Sequence, residues 1–158
     1  LVEVALIAFT IPGQPQGKGR PLAGWKFAKG GVKLPSLRTP QKTVQYEGLV
    51  AHAAQQAMAG AAPIEGPCSV TLAIDCQVPA SWSQKKRRMA LAGDVLPTTK
   101  PDADNVVKAV FDGLNGVAWR DDVQVVDLRV RKRYAATPCV RVEIVAKEEA
   151  TVQMELAA

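Results

Sequence analysis

Apolar positions recur along this chain with two different periods, and the switch between them marks out its elements. Period-two stretches read as strands. Val2–Thr10 is β-branched and apolar and is stopped by Pro12 and Gly13. Cys68–Val78 places Val70, Leu72, Ile74 and Cys76 on one face. In Val123–Arg133, Val126, Leu128 and Val130 point one way, and Asp127, Arg129, Arg131 and Arg133 the other. Cys139–Val145 is the last strand, and YAATP before it reads as a hairpin link. Helical spacing appears twice at length. Tyr46, Leu49, Val50, Ala53 and Ala57 follow a start at Thr39-Pro40, with Thr39 as cap and Pro40 in the first turn, and Gly60 and Pro63 end the helix. Val107, Val110, Phe111 and Leu114 form the apolar stripe of a second helix, from about Asp104 to Leu114, stopped at Asn115-Gly116. A short basic helix, capped by Ser81 or Ser83, runs to about Ala92. The order β-α-β-(short α)-α-β-β predicts an α+β fold: a small mixed sheet of about four strands packed with two main helices, in a single domain over residues 1–158.

Two stretches carry no period. Residues 11–38 are rich in Gly, Pro and basic residues and read as a long loop, with room for a short hairpin around Gly30-Gly31. Within it GQPQGKGR lacks both the spacing of a phosphate loop and its Ser/Thr, which excludes a nucleotide cofactor there. Residues 147–158 are a polar, weakly helical tail.

Charge changes the picture. The net charge is +5 and the pI about 9.3, but distribution matters more than the sum. Seven Lys or Arg and no acid fall between Val4 and Tyr46: Lys18, Arg20, Lys26, Lys29, Lys33, Arg38 and Lys42. Lys85, Lys86, Arg87 and Arg88 form a second cluster; Arg129, Arg131, Lys132 and Arg133 form a third. Three basic clusters on one small domain predict a polyanionic partner. Three cysteines (Cys68, Cys76, Cys139) show no zinc spacing and read as small buried residues of a reducing cytosol. The apolar start is shorter than the roughly 20 residues a membrane helix needs and has no basic flank, so a cytoplasmic protein without membrane association is expected. The single histidine, His52, leaves a histidine metal site or a Ser-His triad hard to build.

Against this basic background, KPDADNVVKAVFDGLNGVAWRDDVQV gathers five aspartates: Asp102, Asp104, Asp112, Asp121 and Asp122. One acid at a helix start complements the helix dipole by roughly 0.3–1 kcal/mol; a second, two residues away, adds repulsion and asks for another role. Asp104, Lys108 and Asp112 are spaced four apart along one polar flank, as in an ion-pair ladder. Carboxylates are also the preferred ligands of Mg²⁺ and Mn²⁺. Two such ions about 3.5–4 Å apart assist phosphodiester hydrolysis, and Lys108 would offset the charge that develops on the phosphate. The residues alone therefore point to a metal-dependent enzyme acting on a polyanion.

The stretch PDADNVVKAVFDGLNG…WRDDVQVVDLRVRK resembles the signature of the RusA family of Holliday-junction resolvases: Asp-x-Asp-Asn-x-x-Lys, a helix, then Asp-Asp before a strand. The resemblance is loose from about Ile11 to Ile144 and sharpest between Lys100 and Lys132. It implies a RusA-like fold and a Mg²⁺-dependent endonuclease (Mn²⁺ substituting), of bacteria or their phages, that acts as a homodimer and nicks two strands symmetrically across a four-way junction. Asp102, Asp104 and one of Asp121 and Asp122, with Asp122 preferred, match the metal-binding aspartates. Lys108 matches the essential lysine, and Asn105 the asparagine that shapes the helix start. GQPQGKGRP stands where shorter members carry an Asn-bearing Pro-Pro-Ser stretch, and the insertion Ser81–Thr99 is longer; both differences bear on DNA specificity rather than on the chemistry. Lys18, Arg20 and Lys42 are the foremost candidates for phosphate contact, followed by Lys85–Arg88, Arg129 and Arg131. Trp25, Trp82 and Trp119 read first as core or interface anchors. The alternatives are a general flap or fork nuclease and a non-catalytic DNA-binding protein.

Overall fold

The computed structural model describes residues 5–148. The expected strand residues Val2–Val4 and tail residues 149–158 lie outside the described residues. The elements are β1 (Leu6–Pro12), β2 (Leu22–Phe27), β3 (Lys33–Arg38), α1 (Gln41–Met58), β4 (Cys68–Gln77), α2 (Gln84–Ala92), α3 (Ala103–Leu114), a 3-10 turn (Asp122–Gln124), β5 (Val125–Ala135) and β6 (Cys139–Ala146). The α+β class is as expected: a mixed four-stranded sheet ordered β1-β6-β4-β5, and a separate two-stranded sheet of β2 and β3.

Strand alternation builds the core directly. β6 pairs antiparallel with β1 and with β4, and β4 pairs parallel with β5. The registers align Ile7, Ile144, Val70 and Leu128 in one row across the sheet, and Phe9, Val142, Leu72 and Val130 in the next. Over β1, β6 and β4 that face is covered by α1, through Val50 and Ala54, and by α3, through Val106, Val110 and Leu114, all buried, while Leu128 and Val130 at the β5 edge stay exposed. Each such side chain contributes about 1.5–3 kcal/mol when fully buried. The opposite face stays polar, with Thr71, Arg129, Arg131 and Glu143 exposed.

Several local expectations change. The α1 cap is Pro40, one residue later than expected, and it makes no side-chain cap bond. Ser83, not Ser81, caps α2 by accepting from the Lys86 N–H at 3.3 Å. The buried stripe of α3 is rotated: Val106, Ala109, Val110, Gly113 and Leu114 are buried, while Val107 and Phe111 are half-buried. The reason is that α3 faces both the sheet and α1, which widens its covered arc. The segment 11–38 is not a loop throughout. β1 extends to Pro12, and β2 and β3 form a hairpin turned at Gly30 and Gly31, both with positive φ. YAATP is not a hairpin turn. β5 and β6 are separated by β4, so the link crosses the end of that strand.

The parallel β4–β5 pair governs the layout, because parallel neighbours need a long crossover. That crossover contains α2 and α3, and it lays α3 on the sheet beside α1. The two helices meet at Gly113, where an added Cβ would lie 2.8 Å from both the Glu47 carbonyl oxygen and Val50 Cβ. Alanine improves helix propensity by about 1 kcal/mol, but overpacking costs about 1–3 kcal/mol and here meets backbone. Gly113→Ala is therefore expected to lower unfolding free energy by about 1–2 kcal/mol, read in urea denaturation with an unchanged m-value.

Candidate active site

The crossover brings the acidic stretch to one edge of the molecule. Asp102 occupies the cap position of α3, yet its carboxylate makes no cap bond. It accepts instead from Asn105 Nδ2 at 3.3 Å and is otherwise exposed. A turn inside the helix, Lys108 Nζ lies 3.2 Å from Asp104 Oδ2, both side chains open to solvent. The next carboxylate on that flank, Asp112, takes a different partner. It is ion-paired with Lys18, 94 residues away in sequence.

Lys18 gets there because the segment before the hairpin is a tight strap between two helix starts. Its own N–H donates to the Asn105 carbonyl at 3.0 Å, and the Gly19 N–H donates to Thr43 Oγ1 at 3.0 Å. A Cβ at Gly17 would sit 3.0 Å from Asn105 Cβ, and one at Gly19 2.8 Å from Thr43 Oγ1. Gly17 and Gly19 of GQPQGKGR thus serve close backbone approach rather than phosphate cradling, while Gly13 supplies a positive φ. An open cleft of about 760 Å³ follows, in which Asp102 and Asn105 face Lys18, Arg20 and Lys100. Lys42 borders the adjoining cleft, which shares Gly17.

Asp121 and Asp122 have different environments. Asp121 caps the 3-10 turn, its Oδ1 accepting from the Val123 N–H at 3.2 Å. Gln124 completes a capping box: its Oε1 accepts from the Asp121 N–H at 3.3 Å and also from the Arg120 N–H at 2.9 Å, and its Nε2 donates to the Ile64 and Gly66 carbonyls at 2.8 and 2.9 Å. Asp122 has no such employment. It is half-buried, and its charge, with those of Glu47 and above all the hydrogen-bonded Asp112, raises the pKa of Lys18 above 10.5.

The structure therefore groups Asp102 with Asp104, Asn105 and Lys108, and Asp122 with Asp112, Glu47 and Lys18. Asp104 and Asp112 are eight residues apart on α3, roughly 12 Å along its axis. Among the described residues, no three His, Cys, Asp or Glu side chains are placed together closely enough to hold a metal ion. The donor chemistry fits a hard divalent cation, since Asp102, Asp104 and Asp122 offer oxygen donors without buried partners. The placed side chains do not yet converge.

The other candidates divide. Lys86 stacks on Trp82, 3.8 Å from its ring centroid, and Arg87 donates to the Pro79 carbonyl, so both are engaged locally; Lys85 and Arg88 are exposed. Arg129 and Arg131 stand exposed on the outer face of β5. Trp119 is fully buried, with Nε1 donating to Asn115 Oδ1 at 2.7 Å, and Trp82 is half-buried against Tyr134. Trp25 departs from the anchor reading within this chain, being largely exposed. Cys68 and Cys76 are buried free thiols whose pKa values burial pushes up, and Cys139 is half-buried beside Asp75.

With this geometry in hand, comparison with known proteins is decisive. The family model described as Endodeoxyribonuclease RusA matches residues 12–145. The chain belongs to the RusA endodeoxyribonuclease family. It is also 39% identical over 144 residues to the uncharacterized protein YqaN of Bacillus subtilis (strain 168), covering 90% of this chain and 96% of that protein. The RusA match spans the strap, the hairpin, α3 and the Asp121-Asp122 turn.

Sequence reasoning overlooked Gln124, Lys100 and Glu47. The Asp-x-x-Gln spacing from Asp121 signals the first. Glu47 is the first acid after Glu3 in a basic stretch, which could have marked it. Burial raises the Glu47 pKa, Asp112 raises it further, and Lys18 opposes both. A carboxyl raised in the folded state disfavours folding as pH climbs through 4.5 and then through the folded value. Lys18→Gln is expected to move the Glu47 titration upward in carboxyl NMR and to deepen the loss of stability as pH rises from 4.5 through the raised folded value. Lys18 itself stabilises fully below pH 10.5, and that contribution disappears as pH rises through its raised folded value.

Proposed function

We propose that this chain is a structure-specific endodeoxyribonuclease that resolves four-way DNA junctions by paired symmetric nicks, using Mg²⁺ or Mn²⁺. The observation that carries this reading is the cleft where Asp102 and Asn105 face Lys18, Arg20 and Lys100: a carboxylate for a cation beside cations for a phosphate backbone. RusA family membership supports the nuclease class. Asp102, Asp104 and Asp122 would hold the ion, with Asp121 occupied as a cap. When bound, the ion would supply an activated water and charge stabilisation at the leaving oxygen. Asn105 holds the Asp102 carboxylate in place. Lys108, beside Asp104 at 3.2 Å, would meet the charge growing on the scissile phosphate. Arg20, Lys42 and Lys100 would carry the flanking backbone, giving a steep salt dependence.

A homodimer fits the same reading. β5 is an edge strand, and beside its start Val123, Val126, Leu128 and Val130 form an exposed apolar row. Edges of this kind invite a second chain. A second copy there would set two sites about a twofold axis, matching the approximate symmetry of a junction.

The test is cleavage in Mg²⁺ of a four-way junction beside matched duplex, flap and fork substrates. Paired nicks confined to the junction are expected, with none in EDTA. Equal cutting of flaps and forks would replace junction resolution by a general branched-DNA nuclease. Asp104→Asn is expected to reduce cleavage at least 100-fold, ~2.7 kcal/mol of barrier, with junction affinity retained. Lys108→Met should also lose turnover while still binding. Full cleavage by Asp104→Asn would remove the metal assignment, and binding without any cutting by the unaltered chain would favour a DNA-binding protein.

A further inference from the structure

The hairpin of β2 and β3 has a face that nothing covers. Its register puts Trp25 opposite Pro35, Ala23 opposite Leu37 and Phe27 opposite Lys33 on one side. Trp25, Phe27 and Leu37 on that side are 62%, 74% and 75% exposed. Among the described residues the hairpin makes no substantial contact with another strand or helix. A lone two-stranded hairpin is marginal in water, and an apolar face on it calls for an occupant.

Charge selects the occupant. Lys33 lies over the Trp25 ring, 4.8 Å from its centroid. Lys26 and Arg38 lie on the other face, Lys29 in the turn. No acid lies between Val4 and Tyr46, so face-to-face pairing with a second copy would bring like charges together. The hairpin's root is the strap, whose Lys18 N–H holds the Asn105 carbonyl beside Asp102. Whatever the arm grips is thereby placed next to the carboxylates. Positions i and i+2 on a strand lie roughly 6.8 Å apart, twice the roughly 3.4 Å step between stacked bases. Trp25 and Phe27 are therefore spaced to take a base between them.

We infer that the β2–β3 hairpin is a DNA-reading arm, with Trp25 and Phe27 stacking on bases unpaired at the branch point and its basic residues holding the adjoining backbone. This rests on the branched-DNA reading above and adds how the branch is distinguished from plain duplex.

The experiment measures affinity in Ca²⁺ without Mg²⁺ for a four-way junction and a matched duplex, with 2-aminopurine at the branch-flanking base, alongside sedimentation of each protein. Trp25→Ala/Phe27→Ala is expected to lose roughly tenfold or more in junction affinity, to keep duplex affinity within about twofold, and to abolish quenching of 2-aminopurine. Trp25→Phe/Phe27→Tyr should retain both. Lys26→Gln/Arg38→Gln should weaken junction and duplex alike and lower the salt slope by about 1.8. An unchanged junction-to-duplex ratio in the alanine pair, while the unaltered protein still prefers and cuts junctions, overturns the arm and leaves the nuclease reading standing. Loss of self-association in the alanine pair with quenching intact assigns the face to a second copy and also overturns it. No junction preference in the unaltered protein removes both.

Discussion

The Lys18 N–H to Asn105 carbonyl bond, 3.0 Å long, joins two parts of the chain that electrostatics alone would arrange quite differently. One is the acid-free segment from the strap through the hairpin; the other is the helix that carries the aspartates. Backbone hydrogen bonds are insensitive to side-chain charge, so this contact fixes the distance between the basic and acidic surfaces whatever their ionisation. The close approaches at Gly17 and Gly19 make the bond possible. The Lys18 side chain then continues to Asp112, so one residue anchors the strap by its backbone and neutralises the helix flank by its ammonium.

A basic protein with a knot of carboxylates is thus a coherent object. Repulsion among Asp102, Asp104, Asp112 and Asp122 is met by two lysines, Lys108 beside Asp104 and Lys18 beside Asp112. Exposed pairs of this kind are worth little in stability, with a median of about 0–1 kcal/mol. They are therefore easily exchanged for stronger partners. A divalent ion and a phosphodiester are such partners: the ion competes for the carboxylates and the phosphate for the lysines. The buried ionic group is elsewhere, where Asp75 takes both Arg133 and Arg141 on the outer face of the sheet. Removing a partner there would strand a buried charge, which marks that cluster as structural.

How much could be read in advance follows from how local each determinant is. β4, β6 and α3 were legible because their burial repeats within a few residues. The Asp-x-Asp-Asn-x-x-Lys spacing was legible because it lies on one helix start. The β2–β3 hairpin was legible at its Gly30-Gly31 turn but not in its extent, because its strands bury neither face against the sheet and no clean alternation marks them among the glycines and prolines. The β5–β6 link misled because a five-residue connection between antiparallel strands resembles a turn; only the non-local insertion of β4 between them decides otherwise. Lys18 illustrates the same limit at the site. Its place among the basic residues was plain, but its tie to Asp112 depends on a strap whose geometry no nearby residue announces.

Among the described residues, the β5 row and the hairpin face are two open apolar surfaces, and their surroundings distinguish them. The row along β5 sits at a sheet edge, where backbone donors and acceptors stand beside Val126, Leu128 and Val130; such an edge is complementary to another strand and therefore to a copy of itself. The hairpin face carries Lys33 over Trp25, with Lys26 and Arg38 on the reverse side, at the end of a strap tied to the candidate site; it is complementary to something flat and anionic. Were both faces to serve the same contact, the hairpin's charge would have to be matched by an acidic surface. Five of the chain's fifteen acids instead fall on α3 and the turn after it, where Lys108 and Lys18 already meet Asp104 and Asp112. The proposed division of labour, protein at the edge and nucleic acid at the arm, rests on the absence of any acid between Val4 and Tyr46.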